Sequence, residues 1–203
     1  MRAWLAIGVL AAGCERIAGL HDLHGVQPGT DARLDADVDA EVASCNGTLD
    51  MPANEGATHT AGDGDPVTYT ANPPASGTHY PDWAKWNRTY PTAIPRGYWV
   101  HNLEHSGVVF LYNCSDCQQE IDRVSAVIAA MPNDAMCGGS PRVRALITPD
   151  PMLPTDVRWA AVSWDHRYVA SCLNIMELTA FAAMDRANAP EPDQCAEGAY
   201  PAN

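Results

Sequence analysis

Six cysteines spread from Cys45 to Cys195 constrain this chain of 203 residues more than any other feature. They are Cys45, Cys114, Cys117, Cys137, Cys172 and Cys195. An even set in an exported protein predicts up to three disulfides, with fifteen possible pairings and a fold stapled between distant segments. A zinc knuckle would need two CxxC pairs, and Cys114-Ser-Asp-Cys117 is the one present. The seventh cysteine, Cys14, stands apart at the end of a short apolar run.

That run decides the compartment. MRAWLAIGVLAAGC begins with Arg2, continues apolar from Ala3 to Ala12, and ends in small residues before Cys14. It is too short for a permanent spanning helix and has the form of a signal-peptide core. Leu10-Ala-Ala-Gly-Cys14 resembles a bacterial lipoprotein signal, although Leu10 lies one position further from the cysteine than is usual. The expectation is a signal peptide over 1–13, lipidation of Cys14, and an exported protein anchored by lipid in the bacterial cell envelope. The membrane is then one partner. Nucleic acid is excluded as another, because the net charge is −13 and no basic run occurs.

Residues 14–44 are read as a disordered acidic linker. Glu15, Asp22, Asp31, Asp35, Asp37, Asp39 and Glu41 face only Arg16 and Arg33, and large apolar residues are few. The Asp35-x-Asp37-x-Asp39 alternation lacks the glycine of a calcium loop. A single globular domain is expected over 45–203, since 46% apolar residues suffice for a core.

Periodicity gives its outline. Gly107–Tyr112 reads as a buried strand, and Val143–Thr148 as a second. Trp159–Tyr168 is a third strand or a short helix leading into one, and Val67–Thr70 is a candidate short strand. Helices are expected from Ser115 to about Met131, with Ile121, Val124, Val127 and Ile128 on one face, and from Asn174 to about Ala187. Asn174 with Glu177 forms a capping pair for the latter. The predicted fold is α+β: a small mixed sheet, two main helices and a long ordered loop rich in proline and aromatics, stabilised by disulfides. Tyr80, Trp83, Trp86, Tyr90, Tyr98 and Trp99 cluster in that loop, as core filler or as a platform over 80–99 for a protein or glycan partner.

His101-Asn-Leu-Glu-His105 has the spacing of inverted zinc hydrolases, which need both histidines on one helix face. Its aromatic and β-branched flanks, with Gly107 soon after, favour strand–turn–strand instead. On irregular backbone His79, His101 and His105 would suit zinc or copper, with Glu104 as a fourth ligand or as a support. The competing reading is a hydrogen-bonded clamp holding the aromatic loop to the sheet. Strand, Cys114-x-x-Cys117 and helix follow the order of thioredoxin-like redox sites, with the Thr148–Pro149 step as a facing proline; Asp116 opposes thiolate formation there.

Ser76-Gly77-x-His79, Val100-His101-x-Leu103-Glu104-His105, Ile147-Thr-Pro-Asp-Pro151 and Pro190-Glu191 together resemble domain-of-unknown-function family 3105 over about 67–191. The resemblance implies an exported or membrane-anchored bacterial protein and no assigned activity. Ser106 stands where the family usually has glycine, and Asp185 and Asn188 where it often has histidine. The favoured role is non-catalytic metal binding. The alternatives are a metal-dependent hydrolase with Glu104 as base, a thiol–disulfide protein using Cys114 and Cys117, and a structural or partner-binding domain without metal.

Overall fold

The computed structural model describes residues 45, 47–184 and 186–201. The signal peptide, Cys14, the acidic linker and Asp185 lie outside the described residues. Six strands form one mixed sheet: β1 (Thr48–Asp50), β2 (Arg88–Thr89), β3 (Val108–Tyr112), β4 (Ala145–Pro149), β5 (Trp159–Ser163) and β6 (His166–Ala170). Three helices accompany it: α1 (Arg96–Glu104), α2 (Gln118–Ala130) and α3 (Ile175–Ala182). The strand order is β1-β6-β5-β3-β4-β2. The β3–β4 and β2–β4 pairs are parallel, and the β1–β6, β5–β6 and β3–β5 pairs are antiparallel.

The central strand carries two cores. Val108, Phe110 and Tyr112 of β3 face one side, with α2 and α3 packed over them, while Val109 and Leu111 face the other, with α1. A strand covered on both faces has no polar side, which is why β3 reads as an unbroken apolar run. The register Val109↔Leu146 and Val109↔Val162 continues the second core across three strands.

The expected fold class is the observed one, with local corrections. Trp159–Tyr168 is a hairpin of β5 and β6. Its register Ser163↔His166 leaves Trp164 and Asp165 as a two-residue turn, in which Asp165 takes a positive φ of 60°. Residues 67–70 form no strand. His101 to Glu104 lie on helix α1, with His105 at its C-cap, so the strand–turn–strand reading of this stretch is wrong. The cause is burial: every residue of α1 except Tyr98 is buried, so it shows no polar stripe and its aromatic and β-branched residues are core filler.

The six cysteines pair as Cys45–Cys172, Cys114–Cys117 and Cys137–Cys195. The first ties the approach to β1 onto the β6–α3 junction. Asn174 completes that junction, its side chain accepting from Glu177 N at 3.2 Å and donating to Cys45 O at 2.7 Å. Among the described residues no helix is long and apolar enough to cross a membrane. Replacing Asn174 by alanine removes both the cap and a buried hydrogen bond, and a loss of about 1–3 kcal/mol is expected in denaturant unfolding at unchanged slope.

Candidate metal centre

Helix α1 delivers His101 and Glu104 to one point because residues three apart share a helix face. The helix is held against the preceding loop by a reciprocal pair: Ala84 N donates to Asn102 Oδ1 at 3.0 Å, and Asn102 Nδ2 donates to Ala84 O at 2.8 Å. Gly97 lets the loop close on the helix, since a Cβ there would stand 2.7 Å from the Tyr80 ring. Tyr80 matters because its carbonyl lies 2.6 Å from His101 Nδ1.

His79 arrives on extended backbone alongside residues 56–60. Gly77 N donates to Gly56 O at 2.8 Å, His79 N to Thr58 O at 3.0 Å, and Thr60 N to His79 O at 2.8 Å. This parallel pairing places His59 directly beside His79. Gly77 adopts a φ of 122°, accessible to glycine and strained for other residues. The His79 Nδ1 atom lies 2.8 Å from Gly77 O.

Three imidazoles and a carboxylate therefore meet. Glu104 Oε2 is 2.9 Å from His79 Nε2, 3.5 Å from His59 Nε2 and 3.6 Å from His101 Nε2. The ligand atoms of His59, His79, His101 and Glu104 all fall within 4.8 Å of one another. His79, His101 and Glu104 are buried, whereas the His59 side chain is 43% exposed and forms the open side. This set could hold a metal ion.

Tautomers sharpen that statement. A carbonyl only accepts, so the contacts to Gly77 O and Tyr80 O fix the proton on Nδ1 of both His79 and His101. Their Nε2 atoms, when the rings are neutral, then present bare lone pairs to Glu104. Burial, reinforced by the charge of His79, pushes the pKa of His101 down to about 3, and burial with His101 beside it does the same to His105. Both rings are thereby kept in the neutral form that ligates metals.

His105 does not join the first group. Its Nε2 lies 3.1 Å from His101 Nε2 and 3.1 Å from Glu191 Oε2, and Glu104, His105 and Glu191 form a second, adjoining cluster. Glu191 N donates to Glu104 O at 3.0 Å, so the C-terminal segment docks on the end of α1. Among the described residues the buried His105 Nδ1 has no hydrogen-bond partner. His59 and Glu191 were not singled out in the sequence. Glu191 was visible only as part of the closing Pro-Glu, and His59 sits in a polar stretch with no local signal.

Of the loop aromatics, Tyr80, Trp86, Tyr90 and Trp99 are buried. Trp83 packs over His101 and His105 with ring centroids at 4.9 and 4.5 Å, and Tyr98 stacks on Tyr200 at 3.9 Å. Ser106 takes a φ of 60°, the conformation for which a glycine is suited. Ser106 also donates from Oγ to Arg186 O at 2.8 Å and accepts from Arg186 Nε at 2.9 Å through its carbonyl.

The family model described as "Protein of unknown function (DUF3105)" matches residues 60–198. The chain belongs to this family. No curated protein and no solved structure matches it. The match contains His79, His101, Glu104, His105 and Glu191, and it starts one residue after His59. Replacing Asn102 by alanine leaves the buried Ala84 N–H and C=O without their partner. A loss of about 2 kcal/mol is expected, with amide exchange at Ala84 accelerated ahead of that in β3.

Proposed function

We propose that this DUF3105 protein is a non-catalytic transition-metal-binding protein of the bacterial cell envelope, anchored by lipid on Cys14. One observation carries the metal reading: His79 Nε2, His101 Nε2 and His59 Nε2 converge on Glu104 Oε2 while two of the rings have their protons committed elsewhere. A single proton can bridge the 2.9 Å His79–Glu104 contact, and the lone pair of His101 is then met only if His105 donates its Nε2 proton there, at 3.1 Å, instead of to Glu191. A divalent cation meets all of them at once.

Distances favour zinc or copper. Ligand atoms about 2.0–2.1 Å from a tetrahedral ion stand roughly 3.4 Å from one another. The separations from Glu104 Oε2, 2.9, 3.5 and 3.6 Å, bracket that value, and all four ligand atoms fall within 4.8 Å of one another. Three imidazoles and one carboxylate are a borderline donor set that suits these ions better than magnesium or calcium. The carbonyl–imidazole contacts to Gly77 and Tyr80 are the kind of outer support that orients ligating histidines.

Closure of the site argues against the hydrolase alternative. A hydrolytic metal keeps one position for water, and its base stands beside the metal. Here four protein groups converge, and the carboxylate that would serve as base is at the centre of the cluster. The three disulfides support residence in an oxidising compartment.

The test is metal analysis of the purified protein after reconstitution with zinc or copper and gel filtration. About one ion per chain is expected, and a His79→Ala, His101→Ala double variant should retain less than a tenth of it. Absence of bound metal in the wild type, with the fold intact by circular dichroism, would leave an imidazolium–carboxylate clamp as the correct reading.

A further inference from the structure

At the opposite end of β3 from the histidines, the strand leads through Asn113 to the Cys114–Cys117 disulfide, and α2 begins at Gln118. We propose that this disulfide is redox-active and exchanges with the vicinal dithiol of a peptide or protein, Cys114 being the sulfur attacked and Cys117 the one that leaves.

The two sulfurs are not equivalent. Cys117 is 3% exposed and caps α2, whereas Cys114 is half-buried and opens onto a groove. That groove, about 580 Å³, is walled by Pro91, Tyr112, Cys114, Pro149 and Pro151. An extended peptide suits such walls, and Pro149 lies opposite Tyr112 in the β3–β4 register. One accessible sulfur backed by one sheltered sulfur is the arrangement that lets a mixed disulfide form at a defined atom and then resolve.

Placement adds a second argument. Cys114-x-x-Cys117 opens the crossover helix of a parallel β3–α2–β4 unit. The start of a helix, where Cys117 stands, favours a thiolate over a thiol. Arg158 borders the motif, its carbonyl accepting from Asn113 N at 3.0 Å, and its guanidinium is engaged by Glu120, with Nη2 2.7 Å from Oε1, and by Asp116 at 3.3 Å.

Stapling is a poor explanation for this disulfide. Cys45–Cys172 and Cys137–Cys195 span separations of 127 and 58 residues, whereas Cys114–Cys117 spans 3. The entropy removed from the unfolded chain grows with the closed loop, so the short bridge constrains least. Its ends are already held by β3 and α2.

The exchange balances without an added oxidant. A substrate thiolate attacks Cys114 Sγ, the Cys114–Cys117 bond breaks, and Cys117 departs as a thiolate that takes up a proton. The substrate's second thiolate then attacks its own sulfur in the mixed disulfide and releases Cys114. The substrate dithiol ends as a disulfide, and two electrons and two protons reside on Cys114 and Cys117.

The full chain, with a chelator present to suppress metal-catalysed oxidation, is equilibrated with graded reduced glutathione, alkylated and mapped by mass spectrometry. Cys114–Cys117 is expected to open at a reductant level at least tenfold below that needed for the other two. A Cys117→Ser variant incubated with oxidised glutathione should accumulate glutathione on Cys114, releasing one reduced glutathione per adduct. Equimolar wild type should convert a reduced two-cysteine peptide to its disulfide, one for one with opening of Cys114–Cys117. Opening of all three disulfides together would overturn the proposal. So would a Cys117→Ser variant without the Cys114 adduct, or a Cys114→Ser, Cys117→Ser variant whose melting point falls as far as that of a Cys45→Ser, Cys172→Ser variant.

Discussion

Glu104 Oε2 is the atom on which this architecture converges. Burying a carboxylate costs several kcal/mol unless charge or hydrogen bonds compensate it. Glu104 is 3% exposed, and the groups aimed at it come from helix α1, the 77–80 loop and the 56–60 segment. Removing the carboxylate would leave the buried Nε2 atoms of His79 and His101 without their common neighbour. The end of α1 is further secured by Arg144, whose Nη1 donates to His105 O and to Pro192 O, each at 2.6 Å. Strand β4 and the C-terminal segment are therefore tied to the same corner.

The two chemically distinctive sites of the protein share one strand. β3 follows directly from the His101–His105 stretch and leads to Cys114, and its five residues are all buried. A strand packed on both faces is a stiff element, so it fixes the position of the histidine cluster at one end and of the disulfide at the other. The three disulfides divide the labour: two close long loops, and the third sits at a strand–helix junction that packing already fixes.

Much of the fold could be read from periodicity, and the failures have physical causes. β3, β4, α2 and α3 were legible because each carries an apolar run or stripe of adequate length. α1 was not, because a helix surrounded by core has no polar side. β1 and β2, with three and two residues, are too short to carry a pattern and exist only through pairing with β6 and β4. The cysteine pairing was open in principle, since spacing does not report which segments the fold brings together. Within the site, His79, His101 and Glu104 were found through their motifs. His59 was missed because only its parallel pairing brings it beside His79, and His105, expected with His101 and Glu104, lies against both His101 and Glu191 in the adjoining cluster with Glu104.

The central claim is that a cation, not a proton, holds the histidines to Glu104. The most direct measurement is an anomalous-scattering crystal structure of the zinc- or copper-reconstituted protein, with data on both sides of the metal edge. The account predicts one strong anomalous peak about 2.0–2.1 Å from Nε2 of His79 and of His101 and from a Glu104 oxygen, with His59 completing the set. No peak at this position, with His79 Nε2 still in direct contact with Glu104, would contradict it and make the cluster a charge-paired clamp.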